Sequence, residues 1–157
     1  MRTPGKAVLL TAAVCLSGVL ATPADAAARS PESICGGGFG RVSGGTKDVV
    51  TPSGRKYGTV YLLYNRATQQ NCVVTIKSSF VGAKTLVSAE LTVMPKAVKD
   101  EKQNPIVRRD SGSYKYYAGP VKYWAKDLCV KFWGTIKPNG HDPAVARGGR
   151  QSWGNCG

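Results

Sequence analysis

The chain has 157 residues, with 22 lysines and arginines against 9 acidic residues and a net charge of +13. Its single histidine excludes a two-histidine acid–base pair, and past residue 26 no stretch approaches the run of about 20 apolar residues that a membrane span needs. A surplus of positive charge on this scale attracts polyanions: nucleic acid, anionic envelope polymer, acidic polysaccharide or anionic lipid.

Arg2 and Lys6 precede an uncharged apolar run from Ala7 to Ala21, and Ala24-Asp25-Ala26 follows as a small-residue cleavage pattern. This is the layout of an export signal, with Ala28 as a second cleavage option. Cys15 lies inside the run, where Ala12-Ala13-Val14 makes a poor lipobox. Cleavage after Ala26 leaves a single domain over residues 27–157. The 22 basic residues less Arg2 and Lys6, against the 9 acidic residues less Asp25, leave that domain with +12.

Gly36-Gly37-Gly38 and Gly44-Gly45 flank a strand predicted around Phe39–Val42. The glycines lack a G-K-[ST] ending, so they read as turns and not as a phosphate loop. Gly58–Asn65 and Asn71–Lys77 are rich in β-branched and aromatic residues and are separated by the polar Arg66–Gln70, which predicts a hairpin. Period two puts Cys72, Val74 and Ile76 on one face, for which Val60, Leu62 and Tyr64 supply the matching inner face. Thr85–Met94 alternates again and stops at Pro95. Lys96 to Arg109 reads as an exposed loop or short helix. Asp110-Ser111-Gly112 and Gly119-Pro120 read as turns around a strand at Tyr114–Ala118. Val121–Lys126 and Cys129–Ile136 complete the strands, and Pro138–Gly149 reads as loop. The tail, with Trp153 and Cys156, is expected to be pinned. Five to seven strands with turns at short spacing predict an all-β fold, a small antiparallel sandwich or barrel.

Cys35, Cys72, Cys129 and Cys156 make an even set in an exported domain, the pattern of two disulfides. Three pairings are open; Cys72 with Cys129 and Cys35 with Cys156 is the preferred one. Zinc ligation is disfavoured because no C-x-x-C pair exists, and no cofactor motif is present. The cationic surface is expected from Lys96, Lys99, Lys102, Arg108 and Arg109, joined by Lys122, Trp124 and Lys126 along one strand face. Trp124, flanked by lysines, is the aromatic expected to be exposed. Aromatic rings among cations can stack bases or sugars.

Several short segments, in order, resemble the spore-associated protein A family of exported proteins from sporulating filamentous bacteria. They are Cys35-Gly36, Gly58-Thr-Val-Tyr-Leu with Tyr64-Asn65, Asn71-Cys-Val-Val-Thr75, Asp110-Ser-Gly-Ser-Tyr114, Tyr117-Ala-Gly-Pro-Val121, Ala125, Cys129-Val130 and Trp133-Gly134. The resemblance implies a secreted, non-enzymatic protein found with spores or aerial cells, and it carries no catalytic residues. The functional expectation is therefore a surface-associated protein held to anionic envelope polymer by its basic face. The alternatives are a small ribonuclease, with Glu90 as base, Arg108 or Arg109 on phosphate and His141 as acid, and a hydrolase inhibitor presenting Lys96 to Arg109 as an exposed loop.

Overall fold

The computed structural model describes residues 29–94, 104–140 and 143–156. The expected export signal, Lys96, Lys99, Lys102 and His141 lie outside them. A short helix, α1 (Pro31–Cys35), precedes eight strands: β1 (Phe39–Val50), β2 (Lys56–Asn65), β3 (Gln70–Lys77), β4 (Thr85–Val93), β5 (Ile106–Tyr114), β6 (Tyr117–Trp124), β7 (Val130–Lys137) and β8 (Ala146–Gly154). All pair antiparallel in the order β5-β4-β7-β8-β1-β2-β3-β6. The sheet curls until its two edges, β5 and β6, face each other, so the fold is an all-β, nearly closed barrel. One mouth carries the β2–β3 hairpin turn and the ends of β4, β6 and β8. The opposite mouth carries the β1–β2, β3–β4, β5–β6 and β7–β8 connections.

The interior follows from period two. Val60 and Leu62 from β2, Val73 from β3, Val87, Ala89, Leu91 and Val93 from β4, and Phe132 and Ile136 from β7 are all buried inside the barrel. Each of these side chains other than Ala89 contributes roughly 1.5–3 kcal/mol by leaving water. Gly134 makes the packing across the barrel possible: a Cβ there would lie 2.5 Å from Thr75 Oγ1 and 2.9 Å from Val60 Cβ.

A second, smaller core lies outside the barrel. Leu62 pairs opposite Val73, and Leu63 opposite Cys72, so Cys72, Val74 and Ile76 face outward and not toward Val60 and Leu62. They are covered by α1 and Phe39, with Cys35, Leu63 and Tyr61. The helix starts where Ser30 caps it, its side chain accepting a bond from Ser33 N at 3.1 Å, with Pro31 in the first turn.

The disulfides differ from the preferred pairing. Cys35 bonds Cys72, fixing α1 to the outer face of β3, and Cys129 bonds Cys156, fixing the tail at the hairpin mouth. Cys72 cannot reach Cys129 because it faces away from the barrel while Cys129 lies at its mouth. Two expected loops also prove to be strands in part. Ile106–Arg109 opens β5, and β8 begins at Ala146 inside the stretch expected to be loop. The expected turns at Asp110–Gly112 and Gly119-Pro120 lie within β5 and β6, the latter through a cis Gly119-Pro120 bond. The tail is pinned as expected, by the disulfide and by Arg150, whose Nη2 donates to Val130 O at 3.3 Å and Asn155 Oδ1 at 2.6 Å.

Candidate functional site

The two sheet edges meet without a ladder, and side chains close the gap. Asp110 of β5 accepts from Gly119 N of β6 at 2.6 Å and from its own strand's Tyr114 hydroxyl at 2.6 Å. Arg108 extends across the same seam, its guanidinium 5.0 Å from the centre of the Tyr123 ring. The bond to Asp110 raises the Tyr114 pKa, because ionising the phenol removes the donor. Burial acts in the same direction. That contribution to stability is complete below the unfolded tyrosine range and is lost as pH rises through the elevated folded value. Tyr114→Phe should therefore lower stability at neutral pH and flatten its decline at alkaline pH, as urea titrations across pH would show.

Beside the seam, on the outside of β6, stand Lys122 and Trp124. Both are exposed, and Trp124 at 47% is among the most exposed large apolar side chains. The Trp124 indole donates to Gln69 Oε1 at 3.3 Å, which orients the ring against the β2–β3 turn. Lys122 lies 5.2 Å from the Phe39 ring centre. Lys126 follows at the mouth. None of Arg108, Lys122 and Lys126 takes part in an ion pair among the described residues; those pairs are Arg41–Glu32, Lys56–Asp48 and Arg109–Glu90.

Lys122 and Trp124 share the outer face of β6, with Lys126 just past the strand end, whereas Arg108, paired opposite the inward-facing Leu91, reaches the seam from the inner face of β5 at Tyr123. Arg109 is turned by alternation to the outer face of β5, where its Nε lies 4.0 Å from Glu90 Oε2. Lys96, Lys99 and Lys102 lie outside the described residues. The flanking strand ends, Val93 and Ile106, are at the hairpin mouth, the same end as Lys126. Glu90 faces outward on β4 beside Arg109, and His141 is among the residues not described, so the acid–base pair is not brought together by any observed geometry.

Sequence reasoning missed the barrel mouth itself. A cavity of about 300 Å³ opens there, lined by Val42, Tyr64, Asn71, Lys126, Asp127 and Asn155 among others. The tail held by Cys129–Cys156 forms one wall. The missed signal was the inward alternation of Tyr64 and Asn71 at the open end of an otherwise apolar face. Among the described residues no three His, Cys, Asp or Glu side chains form a metal-binding group. No helix among them is long and apolar enough to cross a membrane.

No protein-family profile matches the chain, and no solved structure matches it. It is 33% identical over 134 residues to spore-associated protein A of Streptomyces coelicolor, an alignment covering 83% of this chain and 70% of that protein. With this identity over most of its length, the chain belongs to the spore-associated protein A family.

Proposed function

We propose that the chain is an exported, non-catalytic protein held at the spore or cell surface, with residues 1–26 as its export signal and residues 27–157 as the mature domain. Its basic seam binds anionic envelope polymer. The observation that carries this reading is that Lys122 and Trp124 are exposed on the outer face of β6, with exposed Lys126 just past its end and exposed Arg108 on the facing edge strand, none of these cations in an ion pair among the described residues. Cations that are not already neutralised release counterions when they meet a phosphate- or carboxylate-bearing chain, and the ring offers a flat apolar face to its sugar units. Lys96, Lys99 and Lys102, which fall between β4 and β5 in the sequence, add three further positive charges.

The test is binding of purified mature protein to isolated spore and cell envelopes across a salt series. The double variant Lys122→Glu/Lys126→Glu should bind about tenfold more weakly at low salt, with a shallower salt dependence. Wild-type binding should be lost by about 1 M salt, where screening acts within about 3 Å. Retention at that salt, or equal binding by the variant, sinks the reading.

A further inference from the structure

The mouth opposite the hairpin turn carries a second, separately built surface. Its centre is the β3–β4 connection, Ser78–Lys84, whose tip exposes Phe80 at 41% and Val81 at 53%. This connection is held by all three of its neighbours. Ser78 N and Ser79 N donate to Tyr57 O at 2.9 and 3.0 Å, and Ser79 Oγ donates to Lys56 O at 3.1 Å, tying it to the start of β2. Gly82 N donates to Lys115 O at 3.0 Å, tying it to the β5–β6 turn. Asn139 Nδ2 donates to Lys84 O at 2.8 Å, tying it to the β7–β8 connection.

Lys77 locks the arrangement from below. It is 5% exposed, and its ammonium donates to Ala83 O at 2.7 Å and Tyr114 O at 3.3 Å. The Phe80 ring sets its edge against Tyr57 at a centroid distance of 5.0 Å, so the tip projects in a fixed direction. Around it stand Arg55, Lys56, Lys84, Lys115 and Lys137, all exposed. Among the described residues of these connections and strand ends the acid is Asp48, already bonded to Lys56 at 2.6 Å. Arg29 adds a further cation, stacked 3.9 Å from the centre of the Tyr116 ring on the same side.

We propose that this mouth docks on an anionic phospholipid bilayer, with Phe80 and Val81 entering the interface and the surrounding lysines on the headgroups. The combination selects the bilayer over a hydrated polyanion. Cations alone serve either ligand, but an aromatic and a valine held rigidly at the apex of a cationic ring gain nothing from a fully hydrated chain and lose their water in a lipid interface. The surface is at the far end of the barrel from the seam cations, so its failure leaves the envelope-polymer reading intact, and the reverse also holds.

The experiment is co-sedimentation of the mature protein with vesicles of phosphatidylglycerol and phosphatidylcholine, or of phosphatidylcholine alone. Binding to the anionic vesicles should exceed binding to the neutral ones by at least about tenfold. Val81→Asp should lose about tenfold on anionic vesicles while keeping wild-type envelope binding; Val81 is exposed, so the barrel survives and a circular dichroism spectrum confirms it. Lys84→Glu/Lys115→Glu should lose a similar factor. Phe80→Trp should shift its emission to the blue on anionic vesicles and stay unshifted with soluble polyphosphate. Wild-type binding by Val81→Asp, equal binding to neutral vesicles, or the same emission shift with polyphosphate overturns the proposal.

Discussion

Replacing Cys35 and Cys72 together by alanine is expected to lower the unfolding free energy by about 4 kcal/mol, the chain-entropy cost of releasing a loop of this length. The bond spans 37 residues and both cysteines are fully buried, at 0% exposure. Its loss also frees α1 from β3, and α1 is too short at five residues to persist alone. The outer core then opens over Leu63 and Val74. Urea unfolding of the double variant measures the loss. The second bond, Cys129–Cys156, closes 27 residues with Cys156 exposed. Limited reduction followed by alkylation and mass mapping should therefore label Cys129 and Cys156 first. Labelling of Cys35 and Cys72 ahead of them would contradict the burial that separates the two bonds.

Phe132→Ala should cost about 3–5 kcal/mol, the range for deleting a fully buried aromatic side chain. Phe132 is 1% exposed in the middle of β7, paired with Leu91 on one side and Arg150 on the other. Its ring lies 5.5 Å from the Arg150 guanidinium, whose burial lowers its own pKa and whose bonds hold the tail. The cavity would therefore loosen the wall of the hairpin mouth as well as the core. Leu86→Ala is the contrasting case: Leu86 is 44% exposed on the outer face of β4 and should change stability by less than about 0.5 kcal/mol. Equal losses for the two variants would mean the inside and outside of β4 and β7 are wrongly assigned.

β2, β3 and β4 were legible because their alternation is strong and their ends carry turn residues. β8 was not. Its glycines give no period, and it forms because a neighbour admits it: a Cβ at Gly148 would lie 2.0 Å from Asp48 O, so only a bare backbone fits against β1. Asp110-Ser-Gly has the chemistry of a turn, yet Asp110 spends its carboxylate on the β6 edge, a contact that exists only once the barrel closes. The cysteine pairing was hidden for a related reason. Both faces of β3 are apolar, one against the barrel core and one against α1, so period two separates the faces without saying which is inside. At the seam, Lys122 and Trp124 were readable as neighbours on one strand face, but β6 ends at Trp124 and Lys126 falls in the turn beyond it, not on the strand as expected. That Arg108 reaches Tyr123 across the seam while Arg109 turns out to Glu90 depends on strand order, which no local pattern encodes.

The strand order also bears on how such a chain reaches its final form. β6 returns to the first hairpin and β7 to the second, while β8 fills the gap between them, beside β1. Neither half is complete without a segment made later, and the earliest strand waits for the last. A partial chain would leave open edges able to pair with other molecules. Productive assembly therefore favours a polypeptide handed over whole, after its carboxyl terminus has arrived.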